Sequence, residues 1–333
     1  MTILVTGAAG FIGFHVARSL ARRGDGDGHV LGIDNFTPYY LPRLKQARAD
    51  SLAAEPGAAF ETVDFSHMAA LEDLARRHRI TQVIHLGAQP GVRHSLDHPH
   101  VYAQSNLVGH LNILEFCRHH VPGGHLVYAS SSSVYGGASE LPFTTDQRVD
   151  TPISLYAATK RADELMSQSY AHLYGLAQTG LRFFTVYGPW GRPDMAVWLF
   201  TEAILEGRPV TLYNNGDMGR DFTYIDDIVD GILKVAAHSP PPDPAMGDAP
   251  HRIYNIGNNR PNRLRDLVTA IEEALDRKAD IRTAPMQPGD MPETWADIST
   301  IQHDLGFTPR TTLREGVQAF VDWYRHHRAL LNG

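Results

Sequence analysis

The 333-residue chain holds a single cysteine, Cys117, which excludes an intrachain disulfide framework and a thiolate metal cluster. In "LNILEFCRHH" that thiol reads as a buried helical residue. Basic runs are also missing. With a net charge of −7 there is no broad positive surface for a phosphate backbone, so nucleic acid is not an expected partner. An anionic ligand has to be met by a few placed groups. No apolar run approaches the length of a membrane span, and residues 1 to 6 read as running straight into a strand, with no room for a signal peptide. A soluble, cytoplasmic protein without a membrane partner is the expectation. The eighteen histidines cluster in "VRHSLDHPH" and "CRHH", yet neither stretch offers two ligands on one helix face with a partnering carboxylate. No metal is expected. Internal repeats and low-complexity tails are absent too.

What is present is a hydrophobic content of 43%, enough for a large core and two lobes. The first half alternates apolar runs with helical patterns. "TILVTG" (2–7), "HVLGID" (29–34), "AAFETVDF" (58–65), "QVIHLGA" (82–88), "GHLVYAS" (124–130) and a run near 179–185 read as strands. Helices are expected through "FHVARSLARRG" and near 41–54, 67–78, 99–120 and 154–174. This alternation predicts an α/β fold: a Rossmann-type, doubly wound parallel sheet over residues 1–187. Beyond Gly188 the rhythm breaks. Helices near 194–206, 226–237, 264–276 and 312–328 with short strands between them predict a smaller, mixed α/β substrate lobe over 188–333, with room for some segments to return to the first domain. The proline-rich stretch 236–252 reads as an exposed, mobile loop.

Two stretches carry chemistry. "TGAAGFIG" sets Gly7, Gly10 and Gly13 between an apolar strand and a helix, where a tight turn brings backbone N–H groups and a helix N-terminus to a pyrophosphate. The next strand ends at Asp34, a carboxylate placed to accept from ribose hydroxyls and to repel a 2′-phosphate, which favours NAD over NADP. "SLYAATK" sets Tyr156 and Lys160 on one face of a helix, one turn apart. A free phenol titrates near 10, and an ammonium held beside it favours the phenolate. The pair therefore reads as a base and its electrostatic tuner, with Lys160 also able to reach a nicotinamide ribose. The serine run "ASSSSVYG" follows an apolar strand at the sheet edge where open α/β folds hold ligands. Ser131 is the hydroxyl best placed to share a substrate proton.

Together "TGAAGFIG", "SSSVYG" and "YAATK" resemble the extended short-chain dehydrogenase/reductase family of nucleotide-sugar enzymes, over nearly the whole chain. "DNFTPYY", "HLGAQPGVR", "VDTPISLYAATK", "LRFFTVYGPWGRPDMA", "GRDFTYIDDIVDG" and "MQPGDMPETWAD" look like its UDP-glucuronate 4-epimerase branch. The resemblance implies a catalytic trio of Ser131, Tyr156 and Lys160. It implies NAD contacts from Gly7, Gly10, Phe11, Ile12, Gly13, Asp34, Asn35, Asp64, Phe65, Leu86, Ala88 and Asn106 as well as Tyr156 and Lys160. Arg220 and Asp290 would hold the UDP moiety, with Thr211 and Tyr213 near the uracil. For Arg220 a local pair with Asp221 or Asp226 is the alternative. Ser132, Ser133, Thr185 and Arg192 would hold a uronate carboxylate, and Arg93 stays unassigned. Gly87 stands where the branch usually shows alanine, a difference expected to be harmless. Gln287 stands where UDP-galactose 4-epimerases carry arginine, which supports the uronate branch.

The implied reaction is 4-epimerisation of UDP-glucuronate to UDP-galacturonate through a transient 4-ketone, with tightly bound NAD and a homodimeric assembly. Neighbouring readings stay open: a neutral UDP-sugar 4-epimerase, a UDP-glucuronate decarboxylase, or a silent NAD-binding regulator. A 4,6-dehydratase would need an Asp-Glu pair where Ser132 and Ser133 stand, which argues against it.

Overall fold

A computed structural model describes residues 2–23, 29–244, 247–286 and 291–332. Six strands of the first half, β1 (Thr2–Thr6), β2 (His29–Asp34), β3 (Ala58–Thr62), β4 (Ile80–His85), β5 (His125–Ser131) and β6 (Ala177–Phe183), are followed by β7 (Thr185–Tyr187), β8 (Val210–Tyr213), β9 (Gly219–Tyr224), β10 (His251–Ile256), β11 (Pro261–Arg263), β12 (Ile281–Ala284) and β13 (Glu293–Thr294). The main sheet has the order β3-β2-β1-β4-β5-β6-β10, and every pairing in it is parallel. Leu4, Val5, Val83, Ile84, Leu126 and Val127 are completely buried. Central parallel strands are covered on both faces, which is why these segments are apolar without alternation.

Parallel neighbours need crossover helices. These are α1 (Phe11–Arg23), α2 (Pro42–Ala53), α3 (Met68–Arg77), the short α4 (His94–Asp97) and α5 (Pro99–Tyr102), α6 (Gly109–His120) and α7 (Leu155–Tyr174). The helix expected over 99–120 is one run with a fault in it: residues Ala103–Val108 form a π-helical turn between α5 and α6. Such turns re-aim side chains, and Asn106 lies inside this one.

The seventh strand, β10, comes from the second half and pairs along β6 from His251↔Gln178 to Ile256↔Phe183. It begins inside the stretch expected to be an exposed loop. The described part of that loop is also anchored, since Ala249 is buried and bridges Asp243. The remaining helices are α8 (Ala196–Glu206), α9 (Ile225–Ala236), α10 (Leu264–Leu275), α11 (Ser299–Leu305) and α12 (Leu313–Asn332). Ile225, Ile228 and Ile232 of α9 join the core of the main sheet. A second core forms from Trp198 of α8, Leu267 and Ile271 of α10, and Phe320, Trp323 and Tyr324 of α12. Strands β7, β9, β11 and β13 form a small sheet, and β8 pairs β12.

Helix α7 begins where its sequence dictates. The Ser154 hydroxyl accepts from the Ala157 N–H at 3.1 Å, and Gly175 ends the helix in the left-handed region. Its packing is inverted relative to a simple amphipathic helix. The buried face carries Lys160, Asp163, Glu164 and Ser167, while Leu165 and Leu173 are 54% and 63% exposed.

Candidate active site

A cleft of about 830 Å³ opens at the C-terminal ends of β1, β2, β4 and β5 and runs toward β7, β8 and β9. At its floor Gly7 adopts φ +69°, and the Gly10 N–H donates to the Gly7 carbonyl at 2.8 Å. A Cβ on Gly13 would lie 2.2 Å from the same carbonyl, so only glycine permits this turn. Asp34, at the end of β2, is nearly buried. Its carboxylate accepts from the Ala9 N–H at 3.2 Å and the Phe36 N–H at 2.8 Å, clamping the glycine turn to the loop after β2. Phe11, Ile12, Asn35, Phe65, Leu86 and Ala88 complete this end of the cleft wall. Open backbone at a helix N-terminus, with a fixed carboxylate at the neighbouring strand end, fits a dinucleotide.

Two residues expected to touch the cofactor, Asp64 and Asn106, are not among those lining this cleft. Asp64 accepts from Asn35 Nδ2 at 3.0 Å and from the Ser66 N–H at 2.8 Å. Burial raises its pKa, but these bonds outweigh that and hold it below the usual carboxylate value. Asn106 is buried, accepts from the Gln89 N–H at 2.8 Å and donates to Thr159 Oγ1 at 3.0 Å. It joins the loop after β4 to α7. Gly87 is less permissive than expected: a Cβ there would meet Phe65 Cε1 at 2.5 Å, so alanine requires the Phe65 ring to move.

The middle of the cleft holds Ser131, Ser132, Ser133, Tyr156, Lys160 and Thr185 together. Ser131 ends β5 and caps a single 3₁₀ turn, accepting from the Ser133 N–H at 3.2 Å and donating to Ser133 Oγ at 3.1 Å. The fourth hydroxyl of the run, Ser130, points away and donates to Glu164 at 2.6 Å. Tyr156 lies in the first turn of α7, its N–H donating to Ser95 Oγ at 3.3 Å. One turn on, the Lys160 ammonium is buried and donates to Asp163 Oδ2 at 2.9 Å. Burial lowers the pKa of this ammonium, but Asp163 and Tyr156 outweigh it and hold the value above the usual lysine range.

At the far end lie Arg192, Thr211, Tyr213, Arg220 and Arg93. Arg192 is already engaged: its guanidinium donates to Asp194 at 3.0 and 2.5 Å, and Tyr39 donates to the same carboxylate at 3.0 Å. Arg220 donates to the carbonyls of Gly219 and Pro292. Of the two local partners expected as alternatives, Asp221 accepts from Thr223 and from the N–H groups of Asn258, Asn259 and Ala296, and Asp226 lies in the field of Arg18. The Arg93 guanidinium stacks 5.7 Å from the Tyr213 ring centroid. Asp290 and Gln287 lie outside the described residues. Among the described residues, no three His, Cys, Asp or Glu side chains gather as a metal site, and no helix is long and apolar enough to cross a membrane.

Sequence reasoning missed Asp163, Asp194 and Tyr39. Asp163 had a signal, since i and i+3 share a helix face. The pairing of Asp194 with Tyr39 joins positions 155 residues apart and left no local trace.

A parallel sheet with a glycine turn at β1 and a Ser/Tyr/Lys cluster past β5 and on α7 defines a dinucleotide-dependent α/β enzyme. The model of the NAD dependent epimerase/dehydratase family matches residues 3–257, and the chain belongs to that family. It is similar to UDP-glucuronate 4-epimerase 1 of Arabidopsis thaliana, with 47% identity covering 97% of this chain and 76% of that protein. It is also similar to a probable UDP-glucuronate 4-epimerase of Rhizobium meliloti, with 45% identity over 97% of both. Among solved structures, the UDP-glucuronic acid 4-epimerase of Bacillus cereus in complex with UDP-glucuronic acid and NAD superposes with a TM-score of 0.88 at 32% identity, covering 98% of this chain and 99% of that one.

Proposed function

We propose that the chain interconverts UDP-glucuronate and UDP-galacturonate by 4-epimerisation. The observation that carries the reading is that the serine run, the Tyr156/Lys160 pair, Thr185 and Arg192 line one cleft with the glycine turn. The named relatives support the same reaction. When bound, NAD supplies a group that takes a hydride from the sugar and gives it back, so no net oxidation results. Tyr156 accepts the proton of the C4 hydroxyl, Lys160 stabilises the phenolate, and Ser131 shares the proton in transit. Thr211, Tyr213 and Arg220 hold the nucleotide end, leaving the sugar loose enough to present both faces.

A 4-keto uronate is a β-keto acid and loses carbon dioxide when the bond to its carboxylate stands perpendicular to the carbonyl plane. The hydroxyls of Ser132, Ser133 and Thr185 and the planar fork of Arg192 suit the task of holding that carboxylate out of the perpendicular. A second reading, a neutral UDP-sugar 4-epimerase, is favoured by one observation: the Arg192 fork already holds Asp194. The exposed apolar side of α4 to α7, with Leu96, Val108, Leu111, Leu165 and Leu173, supports a homodimer formed through these helices.

Incubation of the purified protein with UDP-glucuronate, with no added NAD, followed by chromatography tests the reading. UDP-galacturonate is the expected product. A UDP-pentose, or no turnover, overturns it, and faster conversion of UDP-glucose to UDP-galactose selects the second reading. Tyr156→Phe should lower kcat by about 10²-fold or more, the usual contribution of a placed acid-base group.

A further inference from the structure

The Lys160 ammonium has a counter-ion that nothing in the proposed chemistry requires. Asp163 lies one turn further into α7, and its Oδ2 accepts from Lys160 Nζ at 2.9 Å. Both side chains are almost completely buried, at 3% and 1% exposure. The other oxygen, Oδ1, is buried without a hydrogen-bond partner among the described residues. The carboxylate therefore has Lys160 as its principal source of stabilisation, and the two charges are committed to each other.

Burial raises the Asp163 carboxyl to about 6 while Lys160 pulls it down, so near pH 7 it is an anion paired with that ammonium. On α7 itself, Glu164 is neutralised by Arg182 of β6 at 2.8 Å and by Arg161 at 3.0 Å. From β4, α6 and β10 respectively, His85, His110 and His251 face the region. Burial holds all three well below the ordinary imidazole value, His85 at about 3 and His251 at about 4, so they are neutral near pH 7. Tyr128 of β5 is buried and held protonated, its pKa pushed well above the ordinary phenol value by burial and by the Glu164 and Asp163 charges. Tyr156 is the remaining group that shares the field of Lys160.

We infer that Asp163 is a positioning residue that pins the Lys160 ammonium beneath Tyr156 and, by opposing its charge, sets the pH at which the phenol becomes a usable base. One N–H of Lys160 is spent on Asp163, leaving two for the phenol and a ribose hydroxyl. Part of the positive potential that would favour the phenolate is cancelled by an anion on the far side of the ammonium. With Lys160 keeping its proton, removing that anion makes the phenolate form at lower pH; a Lys160 that loses its proton with the anion would move the phenol the other way, the result that overturns the inference. The inference rests on the assignment of Tyr156 and Lys160 as base and tuner.

The test reads the phenol directly and needs no substrate. The NAD-bound protein is titrated by ultraviolet absorbance at the phenolate band, with the Tyr156→Phe protein subtracted to isolate one phenol. In Asp163→Asn the Tyr156 transition should move to lower pH, and the acid limb of the kcat profile should move with it. An unchanged transition, or one moved upward, overturns the inference. If Asp163→Asn does not fold, Asp163→Ala removes the same charge and carries the same expectation. If the difference titration shows no separate Tyr156 transition in the parent protein, the base assignment itself is wrong. Failure to epimerise UDP-glucuronate, by contrast, would count against the proposed substrate and leave this titration readable.

Discussion

Arg192 and Asp194, two residues apart, are joined by two hydrogen bonds in the wall of the cleft. The pair keeps the guanidinium in one plane, with Tyr39 bracing the carboxylate from the loop after β2. Lysine in place of Arg192 keeps the charge and loses the fork. Arg192→Lys should lower kcat/KM for UDP-glucuronate by about 10- to 100-fold, the effect of a charge-assisted bond of about 1.5–3 kcal/mol. It should also release a UDP-pentose side product that the parent does not make. Chromatography of the reaction, with carbon dioxide quantified, checks both.

The glycine turn gives a prediction independent of substrate. A methyl on Gly13 would lie 2.2 Å from the Gly7 carbonyl oxygen, a distance that backbone must move to relieve. Gly13→Ala should be purified with little or no NAD. Denaturing parent and variant and measuring the cofactor released distinguishes them, and a variant that retains a full complement refutes the role of the turn.

Buried histidines predict an acid-sensitive fold. Burial holds His15 and His85 at about 3 and His125 and His251 at about 4. Unfolded, each takes a proton near 6.5; folded, none does until the pH is far lower. The unfolded chain binds more protons across this window, so stability is complete above about 6.5 and falls as the pH drops toward 4. Each group adds a slope of up to about 1.4 kcal/mol per pH unit. The melting temperature should fall steadily from pH 7 to pH 5, and His15→Gln should make that fall shallower.

The buried Arg182–Glu164 pair, at 2.8 and 3.0 Å, is structural. Removing one partner strands the other charge, so Arg182→Met should destabilise the protein by about 3–5 kcal/mol. Burial raises the Glu164 pKa, but its partners outweigh that and hold it below the usual glutamate value. This group's stabilisation is present above about 4.5 and is lost as the pH falls through its lower folded value. Urea unfolding at pH 7 and at pH 4 measures both effects.

Elements written in local pattern were readable from the residues alone. The apolar runs at 2–7, 29–34 and 124–130 correspond to β1, β2 and β5, and the turn at Gly7 lies where short-range chemistry puts it. What escaped depends on partners distant in the chain. The bonds that join Asn106 to Gln89 and Thr159 and Asp64 to Asn35 link segments far apart in the chain and left no local trace. The π-helical turn shifts Asn106 by an amount that 3.6-residue periodicity does not encode. The inverted burial of α7 reverses the usual inference from leucine spacing, because the face against β5 and β6 is filled by an ion-pair network.

The strand His251–Ile256 lies beside β6, although more than sixty residues separate them in the chain. Emerging from a ribosome, the nascent polypeptide therefore has to wait with one flank of its largest sheet bare until that late segment arrives. A gene truncated at residue 187 would lock in that incomplete intermediate and should yield insoluble material, whereas cuts aimed at dissecting the enzyme belong after the last helix or nowhere.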